Sequence, residues 1–248
     1  MHRIAFVIAM LLLPCSSFAS LLGGNTATSG SSTITAATRH QFIGSPVYIQ
    51  IFKEERTLEL WVKNGEKYQL ANSYRICDYS GGLGPKRRQG DFKSPEGFYN
   101  VTRSQLKPDS RFYKAINIGF PNQYDRDHGY DGKYLMIHGA CVSVGCYAMT
   151  DTGIDEIFEF VTGALIFGQP RVQVSIFPFR MTDQNMARHQ HSYYRDFWQQ
   201  LKPGYDYFAA NHQPPVVSVN NGNYIVSGPT TGIIQPQLAS NYTVSEAK

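Results

Sequence analysis

The stretch Ile137-His-Gly-Ala-Cys-Val-Ser-Val-Gly-Cys146 places one histidine and two cysteines within nine positions, in a chain with four cysteines among 248 residues. A thiol attacks as thiolate, and an imidazole beside it can take the proton and stabilise the ion pair. Glycine before Cys146 allows a sharp turn that leaves amide N–H groups free to face a developing oxyanion. The eight-residue step from His138 to Cys146 excludes a helical i,i+4 pair, so a loop must bring the side chains together. The expected roles are Cys146 as nucleophile, His138 as base, and the backbone around Gly139 and Gly145 as oxyanion donors. Lys86, Arg88, Tyr124, His128 and Ser143 are candidate substrate contacts, and no metal or other cofactor is expected.

Two other readings use the same residues. His138, Cys141 and Cys146 are zinc-ligand types, but the paired spacing of a tetrahedral site is missing and a fourth ligand would have to come from His128 or Cys77. Alternatively the cysteines are inert core or disulfide partners, and the protein is a binding module without catalysis. Cys77, on a strand-like segment, reads most simply as a buried small hydrophobe; a Cys77–Cys141 bridge is open, as is pairing of Cys141 with Cys146.

His138-Gly139 followed by Ser143-Val-Gly-Cys146 resembles the signature of the L,D-transpeptidase (YkuD) family, with a His-Gly pair upstream of a Ser/Thr-His-Gly-Cys block. Val144 stands where that block carries its own histidine, and Ala148 where an arginine commonly follows. The chain is more similar still to the YafK/DpaA branch, through Ser45 to Thr57, Gly81 to Lys86, Gly90 to Tyr99 and Gln235 to Tyr242. The resemblance implies a mainly β (α+β) fold, a curved β-sandwich with a cleft. It also implies attack by Cys146 on a meso-diaminopimelate carbonyl of a peptidoglycan stem peptide. The branch implies that water resolves the thioester, releasing the C-terminal lysine of the wall-linked outer-membrane (Braun) lipoprotein. A cross-linking transpeptidase is the alternative. The partners implied are stem peptides and that lipoprotein, with no nucleic acid and no membrane span.

Residues 1–19 read as a signal peptide: Arg3, an apolar run from Ile4 to Leu13, and a Ser17-Phe-Ala19 cleavage site. That run is too short to span a bilayer, so the mature protein is expected in the periplasm. Removing the leader leaves Cys77, Cys141 and Cys146, an odd count that implies a free thiol in an oxidising compartment. It also leaves 22 basic against 19 acidic side chains, a mild excess that does not argue for nucleic acid. Lys86-Arg-Arg88 is the only tight cationic cluster. It reads either as a solvated loop tip or as a contact for an anionic polymer.

Residues 20–44, rich in Gly, Ser, Thr and Ala, read as a flexible tether, and 45–180 as the catalytic domain. Strands are expected at Val47 to Phe52, Leu58 to Val62, Lys67 to Leu70, Phe98 to Val101, Ala115 to Ile118, Tyr134 to Ile137 and Val172 to Phe177, with a hairpin turn at Asn64-Gly65. Residues 80–97 form a loop rich in glycine and proline, where a scaffold presents a binding surface; Phe120 to His128 reads as a second loop. One helix after the motif is announced by a capping-box pattern, Thr152-Gly-Ile-Asp155, and apolar spacing from Ile154 to Leu165. Residues 181–230 form an extension: a helix capped at Thr182 or Asp183 and running to about Leu201, then a hairpin turning at Asn221-Gly222. The tail is 231–248.

Overall fold

The computed structural model describes residues 34–228 and the backbone of 233–234. The expected signal peptide and most of the expected tail lie outside these residues. Twelve strands and four α-helices follow in order: β1 (Val47–Phe52), β2 (Thr57–Asn64), β3 (Lys67–Arg75), β4 (Gly97–Val101), β5 (Leu106–Ser110), β6 (Tyr113–Asn117), α1 (Gln123–Asp127), β7 (Met136–His138), β8 (Tyr147–Ala148), α2 (Asp151–Ile166), β9 (Val172–Phe177), α3 (Asp183–Arg188), α4 (Arg195–Asn211), β10 (Val216–Asn220), β11 (Asn223–Ser227) and β12 (Ile233–Ile234). They form a mixed α+β fold with a five-stranded sheet, β3-β2-β1-β9-β4, a four-stranded sheet, β5-β6-β7-β8, and a small C-terminal sheet, β10-β11-β12.

Every residue of β1 is buried, the pattern of a strand covered on both faces. Val47, Ile49 and Ile51, with Val172, Val174 and Ile176 of β9, enter one core with Ile154, Ile157, Phe160 and Val161 of α2. The alternate residues Phe52 and Phe177 enter a second core with Phe98, Trp198, Leu201 and Tyr224. The C-terminal extension therefore covers the second face of the central sheet and buries its aromatic residues.

Most expected strands are present within a residue or two. The helix after the motif starts earlier than its sequence pattern indicates, because Thr150 and not Thr152 caps it, its side chain accepting from the Gly153 amide. The single helix expected from Thr182 is two helices: α3, capped by Thr182, ends at Arg188, and α4 begins at Arg195 and runs through Pro203 to Asn211. The turn between them seats Tyr194 against Gly84, where an added β-carbon would lie 2.3 Å from the tyrosine ring. The loop expected from Phe120 to His128 contains α1, capped by Asn122. Within the stretch read as a tether, Ile34 is buried, its amide donates to the Leu70 carbonyl, and Arg39–Phe42 form a 3-10 turn.

Candidate active site

β7 and β8 are short parallel neighbours, with Ile137 opposite Tyr147 and His138 opposite Ala148. Ile137 and Tyr147 belong to the first core, so the alternation of a strand turns His138 and Ala148 the other way. Cys146 immediately precedes β8. Its Sγ is 3.5 Å from the Tyr134 carbonyl, just before β7. This contact places the thiol next to the chain entering β7, the strand that ends at His138.

The imidazole is held in one tautomer. Its Nδ1 lies 2.6 Å from the Gly139 carbonyl, which can only accept, so Nδ1 carries the proton and Nε2 keeps its lone pair. Phe112 stacks on the ring at 4.7 Å. Burial pushes the imidazole below its ordinary value, against a smaller opposing effect of the Gly139 bond. His138 is therefore neutral at neutral pH.

Burial pushes the Cys146 thiol up, while the Met136 amide, the Ser143 hydroxyl and the charge of Lys86 pull it down. Ser143 is held in turn: its amide donates to Asp78 at 3.0 Å, and its Oγ accepts from the Cys146 amide at 2.9 Å.

The expected oxyanion donors all have partners in this structure. Gly145 N donates to Ser80 Oγ at 2.7 Å, Cys146 N to Ser143 Oγ, and Gly139 N to the Lys114 carbonyl at 3.1 Å. The first two partners are hydroxyls, which can rotate away as an oxyanion arrives. The third is a sheet carbonyl, so Gly139 is fixed in the backbone and serves through its carbonyl bond to His138.

Cys77 and Cys141 form a disulfide with Cα atoms 5.2 Å apart. Cys77 is thus a half-buried bridge partner rather than a buried free hydrophobe, and Cys146 is the one free thiol among the described residues. With Cys141 bridged, the zinc reading loses a ligand. No group of three His, Cys, Asp or Glu side chains among the described residues is arranged to hold a metal.

The remaining candidates divide. Lys86 is only 4% exposed and pairs with Asp91 at 2.6 Å, so it is a buried structural cation rather than part of a solvated tip. Asp91 also accepts from the amides of Arg87, Arg88 and Lys93. Burial alone would push its carboxyl up, but these donors outweigh that and hold it at about 2. Arg88 is exposed. Tyr124 is buried in the second core, stacked on Tyr224 at 4.4 Å and on His128 at 4.1 Å. Tyr124 and His128 therefore pack the C-terminal hairpin and do not meet the cysteine. The sequence reading missed Ser80 and Ser94. Ser94 Oγ donates to the Cys146 carbonyl at 3.0 Å and receives the Ser80 amide at 3.2 Å. Only their place in the glycine-rich loop pointed to them.

A family model described as the L,D-transpeptidase catalytic domain, YkuD, matches residues 46–176. The chain belongs to the L,D-transpeptidase family. It is 70% identical, over the full length of both chains, to YafK of Escherichia coli K12, a protein provisionally named an L,D-transpeptidase, and equally to that of Escherichia coli O157:H7. A crystal structure of a single-residue variant of the helical cell shape determining protein Pgp2 from Campylobacter jejuni is also similar, at 20% identity and a TM-score of 0.45 over 63% of this chain and 55% of that one. The family match ends at Ile176, and the residues beyond it supply Trp198, Leu201 and Tyr224 to a second core that they share with Phe52, Phe98 and Tyr124 of the matched segment. No helix among the described residues is long and apolar enough to cross a membrane.

Proposed function

We propose that this protein is an exported, periplasmic cysteine amidase of peptidoglycan, with Cys146 as nucleophile and His138 as its base. Its substrate is the amide between meso-diaminopimelate of the stem peptide and the C-terminal lysine of the wall-linked lipoprotein. The observation that carries the reading is that the one free described thiol immediately precedes the strand paired with β7, where His138 sits with its tautomer fixed by the Gly139 carbonyl. Family membership supplies the substrate class, and similarity to the YafK/DpaA branch the choice of amide.

The chemistry follows from that geometry. His138 Nε2 takes the thiol proton as sulfur attacks the carbonyl, and the oxyanion is met by the amides that Ser80 and Ser143 release. As the carbon–nitrogen bond breaks, the imidazolium returns the proton to the departing amine. Water then attacks the thioester, with His138 again taking a proton, and leaves a diaminopimelate carboxylate and free thiol. Val144, where the family block has a histidine, is 68% exposed and offers no second imidazole.

A second reading, in which an amine replaces water, is favoured by the family and by the name of the relative. Wall fragments carrying lipoprotein separate the two: the amidase releases the lipoprotein-derived peptide and forms no cross-links. New cross-links or exchanged stem peptides would favour the transpeptidase.

A further inference from the structure

Arg87 is a cation the mechanism leaves unused. Its guanidinium carbon lies 5.8 Å from the ring centre of Tyr130, 5.2 Å from Tyr193 and 5.5 Å from Tyr194. Nη1 makes one long bond to the Tyr193 hydroxyl, at 3.4 Å, and Nε is buried without a partner. Lys93 Nζ lies 5.3 Å from the same Tyr194 ring and donates to the carbonyls of Gly81 and Leu83. Neither cation is paired with a carboxylate among the described residues. The acid nearest in sequence, Asp91, is taken up by Lys86 and three backbone amides.

Aromatic faces steady a guanidinium but do not neutralise it. Its planar fork still fits a carboxylate through two parallel bonds. The loop that carries this fork also packs against the cysteine's backbone. The Lys93 carbonyl lies 3.8 Å from where a β-carbon on Gly145 would stand, and Ser94 bonds the Cys146 carbonyl. Arg87 is thus joined to the cysteine's loop through the Tyr194 ring and Lys93. A carboxylate α to the scissile nitrogen would be held only about 3 Å from that nitrogen. One carried by a lysine linked through its side-chain amine stands roughly 8 Å away.

We propose that Arg87, supported by Lys93 and framed by Tyr193 and Tyr194 of the C-terminal extension, binds the α-carboxylate of a leaving lysine joined to the stem peptide through its side-chain amine. The proposal rests on the amidase reading for the identity of that lysine. It assigns the extension a role in choosing the leaving group, and it sets apart Arg87 from its neighbours Lys86 and Arg88.

The test uses the Cys146→Ala protein, which turns nothing over, and calorimetry with a stem tripeptide bearing lysine on diaminopimelate. Three forms are compared: the free acid, the lysine carboxamide and the diaminopimelate carboxamide. The free acid and the diaminopimelate carboxamide should bind alike, and the lysine carboxamide about 10- to 100-fold more weakly. Adding Arg87→Gln should bring the first two down to the third, and Arg87→Lys should restore part of the difference. Equal binding of all three forms, equal weakening of all three by Arg87→Gln, or no binding of the free acid would overturn the proposal. Loss confined to the diaminopimelate carboxamide would also overturn it, by placing the contact on the stem peptide. Should wild type prove to use an amine acceptor, the amidase reading fails while this binding pattern is untouched.

Discussion

Cys146 immediately precedes β8, the parallel neighbour of the strand that ends at His138, and its thiol is 3.5 Å from the Tyr134 carbonyl. One strand end and one tight loop therefore fix both partners, and neither depends on a long flexible segment.

Replacing either partner should remove activity by different amounts. Cys146→Ala should abolish product formation. His138→Ala should lower turnover roughly 10²- to 10⁴-fold. The base must be unprotonated, and burial lowers its pKa, so the acidic limb of kcat/KM should fall below the ordinary imidazole value of 6.5. A limb above that value, or one that survives His138→Ala, would assign the base elsewhere.

The disulfide predicts a separation of stability from chemistry. The Cys77–Cys141 bridge closes a sequence separation of 64 residues and ties the loop bearing the nucleophile to the end of β3. Replacing both cysteines by serine should cost about 2–4 kcal/mol in denaturant unfolding yet leave measurable activity. Thiol titration of the folded, leaderless protein should find one reactive group, lost in Cys146→Ala. Complete inactivity of the folded double-serine variant would show that Cys141 takes part in the chemistry.

Much of this site was legible because its signals are local. His138, Gly145 and Cys146 lie within one short segment, and the strand pattern around it needs only periodicity. What escaped was set by distant partners. Lys86 looks like a loop-tip cation until Asp91 folds back on it, and Tyr124 looks like a loop aromatic until Tyr224, a hundred residues on, stacks against it. Ser80 and Ser94 carry no distinguishing spacing, and their role exists only because the loop reaches the cysteine. The break between α3 and α4 was hidden by a helical pattern that continues through the turn seating Tyr194.

Glu96 is the point at which the extension grips the active-site loop. It is buried with Lys53 at 2.9 Å, receives the Trp198 indole at 2.8 Å and the Gly84 amide at 2.6 Å, while Lys53 also donates to the Ser94 carbonyl. Glu96→Gln should cost about 3–5 kcal/mol, since it strands a buried ammonium. Trp198→Phe should cost about 1–3 kcal/mol through the carboxylate oxygen left without its donor. Because Ser94 bonds the cysteine carbonyl, both variants should also lower kcat when assayed well below their melting temperatures. An unchanged kcat in folded Trp198→Phe would uncouple the extension from the site.

Asp125 sets a pH dependence of stability. Burial pushes its carboxyl up to about 6, only partly opposed by the Asn122 amide and the Tyr99 hydroxyl. A folded-state pKa above the unfolded value of 3.8 means that folding favours the protonated form. The associated stability is present in full below about pH 4 and is lost as pH rises through about 6. Asp125→Asn should accordingly match wild type near pH 4 and exceed it above pH 7, by on the order of 1–3 kcal/mol. A variant less stable than wild type at pH 7.5 would mean that the carboxylate's hydrogen bonds outweigh its burial.

The central claim, a thioester on Cys146 resolved by water, is tested most directly by running the reaction in ¹⁸O-labelled water. The substrate is a stem peptide bearing lysine on diaminopimelate, with an excess of a D-amino acid present and the product masses read. The account predicts one ¹⁸O atom in the new diaminopimelate carboxylate, free lysine in equal amount, and neither product with Cys146→Ala. Unlabelled product in which the D-amino acid has replaced lysine would contradict it and identify the protein as a transpeptidase.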